Sequence, residues 1–153
     1  MKSSNVSSIV ERALSLATEA HKGQVDKGGN PYINHPITVV AMLTSEDEKV
    51  VALLHDVVED TDVTLEDLYR KYGFSSKIVY AVDCITKRAG ESLHDYLLRV
   101  KRSELATAVK IADLTHNSDL SRISEPQAKD IQRVIRYRKE LAFLKDPDSI
   151  FNI

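Results

Sequence analysis

The chain has 153 residues, 42% hydrophobic and 29% charged, with a formal net charge of −2. That length suits one domain (1–153) around a single core, and the mixed charge excludes a disordered chain and gives no overall attraction to nucleic acid. The lone cysteine, Cys84, excludes an internal disulfide, and no apolar run approaches a membrane span, so the expectation is a soluble cytoplasmic protein.

Residues 5–21 follow helical spacing through Val6, Ile9, Val10, Ala13, Leu14, Ala17 and Ala20, with Ser4 or Asn5 as N-cap. Glu11, Arg12 and Glu19 within this pattern are unlike a secretory signal. A glycine-containing loop, 25–30, leads to Pro31-Tyr32-Ile33-Asn34-His35-Pro36, where Pro36 is expected to open a helix running to about Thr44. The next helix, about 48–59, has apolar residues nearly all round: Val50, Val51, Leu53, Leu54, Val57 and Val58. Thr64 and Asp67 form a capping pattern for a short helix closed by Gly73. Ser75 opens a helix with Ile78, Val79, Val82 and Ile85 inward, and a loop at 88–91 leads to another marked by Leu93, Tyr96, Leu97 and Val100. Ser103 starts a helix to about Leu120, with Leu105, Ala108, Val109 and Ala112 inward. The last helix is expected from Pro126 at its first position to about Lys145, with Ile131, Val134, Ile135 and Leu141 inward. No alternating strand pattern of useful length occurs. The predicted fold is all-α, a compact bundle of seven or eight helices.

The helix at 48–59 poses an energetic problem. His55, Asp56, Glu59 and Asp60 sit in an apolar surround, and buried carboxylates are costly unless paired, hydrogen-bonded or bound to a metal. His35, His55, Asp56 and Asp113 together offer imidazole and carboxylate ligands for a divalent transition metal such as Mn, Fe, Co, Ni or Zn. Taken singly, each histidine favours a structural role, His35 in a loop and His55 in the core; together with the two aspartates they favour the metal. Glu59 and Asp60, one turn on, can orient a water and take its proton, or else form an acidic, solvent-facing helix end. Asn117 shares a helix stripe with Asp113 and can bind substrate, orient a ligand, or simply end the helix. Lys22, Lys27 and Lys110 are candidate phosphate contacts, Lys27 favoured by its loop before His35; His21 and His116 read as packing or ligand-supporting groups.

The segments AHKGQ (20–24), KGGNPYINHP (27–36), LLHDVVEDT (53–61) and VKIADLTHN (109–117) resemble, in order and spacing, the HD-domain hydrolases of the Rel/SpoT type, particularly their small stand-alone members. The likeness runs from about residue 6 to 120. It implies an all-α HD-domain fold holding Mn2+ through His35, His55, Asp56 and Asp113, with Glu59 and Asp60 activating water and Asn117 and Lys27 meeting the nucleotide. The implied reaction removes the 3′-pyrophosphate of guanosine tetra- or pentaphosphate, giving GDP or GTP and pyrophosphate, with no seat for a synthetase domain. Two positions depart from the family pattern. Asp26-Lys27 stands where an Arg-Lys pair is common, and Leu114-Thr115 where a basic residue followed by Leu is usual. Losing an arginine plane and gaining a negative charge at Asp26 should weaken stacking, so Asp26→Arg is expected to lower KM. The same residues would also serve a phosphohydrolase of another phosphorylated nucleotide or metabolite, or a nucleotide-binding HD module without turnover.

Overall fold

A computed structural model of the chain describes residues 8–26 and 28–146. Within them the backbone forms eight α-helices and one 3-10 turn, with no strand beyond an isolated bridge between Val25 and Pro31. The helices are α1 (Ser8–Ala20), α2 (Asn34–Ala41), α3 (Glu46–Asp60), α4 (Leu65–Arg70), α5 (Ser76–Ile85), α6 (Leu93–Val100), α7 (Glu104–Asn117) and α8 (Ala128–Lys145), and the 3-10 turn is Leu120–Arg122. The all-α expectation is borne out. The expected caps at Ser4 or Asn5 and the residue Lys27 lie outside the described residues.

The apolar encirclement of α3 makes it the central helix, and it packs against α1, α2, α5 and α7. Val50, Val51, Leu54 and Val57 are fully buried there, and His55 is almost as enclosed, at 3% exposure. Its start is fixed by Ser45, whose hydroxyl accepts from the Glu48 amide while the Glu48 carboxylate accepts from the amides of Thr44 and Ser45. The same reciprocal cap joins Thr64 and Asp67 on α4. Gly73, at φ +74°, then turns the chain so that the Phe74 amide reaches back to the Leu68 carbonyl.

Several element boundaries differ from expectation. α2 begins at Asn34, so Pro36 falls inside the first turn and His35 lies within the helix rather than before it. Proline is tolerated there because first-turn amides have no intrahelical acceptor. α7 ends at Asn117, short of Leu120. α8 begins at Ala128 rather than at Pro126, where the Asp130 carboxylate accepts from the Gln127 amide. Its inward face also differs: Ile131 and Ile135 are about half exposed, whereas Val134, Phe143 and Leu144 are buried alongside the polar Asp130 and Glu140.

Candidate active site

The loop after α1 is folded by its own polar groups. Asp26 Oδ1 accepts from the amides of Gly28 and Asn30, and the Tyr32 amide reaches the Gln24 carbonyl. This turn brings Tyr32 and the first turn of α2 onto α3. Tyr32 donates its hydroxyl to Asp56 Oδ2 at 2.5 Å, and burial together with Asp56 holds the phenol proton far more tightly than usual.

His35, His55 and Asp56 each present one ligand atom within 4.8 Å of the others. Asp113 joins them from α7: its Oδ1 lies 2.7 Å from His35 Nε2 and 3.5 Å from His55 Nε2. The buried His55 Nδ1 faces the Ala52 carbonyl at 2.7 Å, which fixes Nδ1 as the donor and aims Nε2 at the cluster. That Nε2 lies 3.3 Å from Asp56 Oδ2 but makes no aligned hydrogen bond, and among the described residues it is one of the few buried side-chain atoms without a hydrogen-bond partner. Burial disfavours the imidazolium, yet Asp56 and Asp113 outweigh it and raise His55 to about 9. A buried nitrogen without an aligned partner, between two carboxylates and beside a second imidazole, fits a divalent cation in chemistry and in charge.

The supports around the cluster point the same way. His116 stacks on His35, with the two Nδ1 atoms 2.7 Å apart. Burial, Arg122 and His35 lower His116 to about 4, so it is neutral and can accept from His35 Nδ1–H, which orients His35 with Nε2 toward Asp113 and the rest of the cluster. Lys110 is buried beside Asp113 Oδ2, at 3.3 Å. Burial opposes charge on Asp113, but Lys110 and the two histidines overcome it and hold the carboxyl well below its usual range. Lys110, a candidate phosphate contact from the sequence, is thus committed to a carboxylate; Lys22 is exposed.

Two clefts meet at the cluster and share Tyr32, Asn117 and Tyr137. One, about 360 Å³, borders His35 and is walled by Asp26, Arg122, Ile123 and Arg133. The other, about 460 Å³, borders His55, Asp56 and Asp113 and carries Glu59, Lys87, Arg88, Lys110 and Arg136. Glu59 accepts the Lys87 amide at 3.2 Å, and desolvation and Asp56 raise its pKa. Desolvation and Asp56 also raise Asp60, which is exposed one residue further on. Asn117 Nδ2 donates to Asp113 Oδ1 at 3.2 Å, so it touches a member of the cluster as well as both clefts.

Several residues that shape the site escaped the sequence reading. Tyr32 lies within PYINHP (31–36), and its spacing from His35 is the available signal. Arg122, Arg133 and Tyr137 gave none, being polar residues outside the matched motifs. No sequence pattern marks Arg99 either. Its buried guanidinium binds the carbonyls of Asp83, Cys84 and Thr86 at the end of α5 and both carboxylate oxygens of Glu91. It therefore fixes the lip of the larger cleft, where Lys87 and Arg88 sit.

An all-helical bundle with an imidazole–carboxylate cluster at the junction of α2, α3 and α7 defines an HD-type protein, and residues 13–146 match the HD domain family. The chain belongs to that family. Among its relatives is the guanosine-3′,5′-bis(diphosphate) 3′-pyrophosphohydrolase MESH1 of Danio rerio, 37% identical over 84% of this chain and 78% of the relative. A probable GTP pyrophosphokinase of Mycobacterium leprae is 34% identical over 78% of this chain, and a guanosine-3′,5′-bis(diphosphate) 3′-pyrophosphohydrolase of Haemophilus influenzae is 37% identical over 67%. In both, the matched region is 17% of the relative's length, so the chain spans about a sixth of these long relatives. A solved structure described as a metazoan ortholog of SpoT that hydrolyzes ppGpp superposes with a TM-score of 0.74, at 24% identity, over 97% of this chain and 92% of that one. It shares the fold. No described helix is long and apolar enough to cross a membrane.

Proposed function

We propose that the protein is a metal-dependent 3′-pyrophosphohydrolase of guanosine tetra- and pentaphosphate, releasing GDP or GTP and pyrophosphate. The observation that carries the metal is the buried, unpartnered Nε2 of His55 set between Asp56 and Asp113. Family membership and the relative in Danio rerio support the substrate. His35, His55, Asp56 and Asp113 would hold the ion, with Mn2+ the assignment. When bound, it supplies Lewis acidity toward a phosphate oxygen and acidifies a water.

The chain's own residues account for the remaining work. Tyr32 and His116 hold Asp56 and His35 in orientation through the contacts given above. Glu59, with its carboxyl raised and its side chain on the larger cleft, is placed to take the proton of an attacking water and return it to the leaving oxygen. Asp60, exposed and outside the lining of either cleft, keeps an assisting role through its charge beside Asp56 and Tyr32. Lys87, Arg88 and Arg136 offset phosphate charge in that cleft. Asn117 meets the nucleotide where the two clefts join. The buried free thiol of Cys84 suits a reducing cytoplasm, where we place the reaction.

The test is a panel of phosphorylated nucleotides with Mn2+ and product identification. Pyrophosphate from guanosine tetraphosphate, lost on chelation and in Asp56→Ala, is the expected result. Orthophosphate from a different nucleotide would replace this substrate with another, and bound metal without turnover would reduce the protein to a binding module.

A further inference from the structure

Arg122 leaves the 3-10 turn after α7 and lines the cleft beside His35. Its terminal amino groups are committed on three sides. One donates to the His116 carbonyl at 3.3 Å and to Asn117 Oδ1 at 3.2 Å, and the other to Asp26 Oδ2 at 3.5 Å. Hydrogen bonds from these groups run in the guanidinium plane, so they hold its edge and leave a face open. Asp26 is itself held, since its other oxygen accepts the amides of Gly28 and Asn30, and these bonds with Arg122 keep its carboxyl below the usual range.

The charge around this guanidinium is balanced. Asp26 faces Arg122, and Asp130 pairs with Arg133 at 2.7 Å. Val25, Ile123 and Tyr137 supply apolar surface to the same cleft. A polyphosphate gains little from paired cations, whereas a flat heterocycle gains a stacking surface.

Resting on the proposed function, we propose that Arg122, docked by Asp26, is the planar wall on which the substrate's base lies, and that the two residues act as one specificity-determining unit. Asp26 is then no deficit. It is the anchor that brings a guanidinium into the cleft from the other side of the site, and through Asn117 the unit touches Asp113.

Steady-state kinetics on guanosine tetraphosphate with Mn2+ test this through Arg122→Lys, Asp26→Asn, their double variant and Asp26→Arg. Asp26→Asn keeps an oxygen for the Gly28 and Asn30 amides while removing the charge. Arg122→Lys should raise KM about tenfold with kcat changed less than about threefold, because charge remains and the plane is lost. The double variant should be no worse than Arg122→Lys alone. Asp26→Arg should raise KM, opposite to the expectation from the sequence. Inhibition by pyrophosphate should be unchanged in all four. A lowered KM in Asp26→Arg, additive single effects, or a matching loss of pyrophosphate inhibition in Arg122→Lys would overturn the proposal. If the wild type does not hydrolyse guanosine tetraphosphate, the proposed function fails and calorimetry with GDP decides the unit separately. Binding weakened about tenfold by Arg122→Lys supports it; equal binding, or none to wild type, overturns it.

Discussion

Lys110 and Asp113 are both buried, and each keeps the other charged. Removing one member of a buried pair leaves the other uncompensated, which typically costs about 3–5 kcal/mol. Lys110→Met should therefore destabilise the metal-free protein by about 3 kcal/mol, the lower end because His35 and His55 also face Asp113. Saturating Mn2+ should restore part of the loss by supplying the missing positive charge. Urea unfolding of both proteins with and without metal reads this directly, and equal losses in the two conditions would detach Lys110 from the ion. His116 gives a pH signature of opposite chemical sense. Its folded value, about 4, lies below the usual 6.5, so between these limits the unfolded chain binds more protons. Stability from this group is full above pH 6.5 and is lost as pH falls toward 4. Because the ring is partly exposed, the contribution is about 2 kcal/mol rather than the full shift. Metal-free wild type should show this slope and His116→Gln should lack it, the difference between their stability curves removing the carboxylates common to both.

At the scale of the element, α3 was legible, whereas α8 was legible in its extent but only in part in its inward face. The run from Val50 to Val58 announces burial on every side, and Ser45 with Glu48 supplies a start signal, although the sequence reading placed that start slightly late. Ser45→Ala should cost about 1 kcal/mol and, for a domain of this size, lower Tm by about 2–4 °C. Because the cap lies at the opposite end of α3 from Asp56, kcat should stay at the wild-type value. A fall in kcat at full folding would show that the helix start and the cluster are coupled. In α8 the periodic apolar residues misled. Ile131 and Ile135 lie about half exposed, while Asp130 and Glu140 turn inward, Asp130 capping the helix start and pairing with Arg133 and Glu140 lining the larger cleft. Hydrophobic spacing identifies a core face only where the core is apolar, and this face closes over a polar site. Arg99 and Arg122 were hidden for a different reason: each is held in part by groups distant in sequence, the carbonyls of Asp83 and Thr86 and the Asp26 carboxylate, which no local pattern encodes.

Across the whole molecule, the cluster joins parts of the chain that are otherwise distant. His35 and Asp113 are 78 residues apart, α3 lies between them in sequence, and α2, α3 and α7 pack pairwise against one another in space. The motifs carrying these residues were plain in the sequence, but their convergence follows from burial of α3 against α2 and α7. An unfolded chain keeps only the adjacent His55 and Asp56 as a local pair of ligands, so a metal should bind the folded state almost exclusively. Such a ligand stabilises by about 2.7 kcal/mol at a hundredfold excess over its Kd. For a domain of this length that raises Tm by about 5–10 °C. Thermal unfolding across a Mn2+ series should therefore show Tm climbing with the logarithm of metal concentration. Mg2+ should do less, since it disfavours imidazole ligands. His55→Gln, which fits the same volume but offers no imidazole nitrogen, should leave Tm independent of Mn2+. A wild-type Tm indifferent to Mn2+ would remove the cation from this cluster; a rise retained in His55→Gln would move it elsewhere in the molecule.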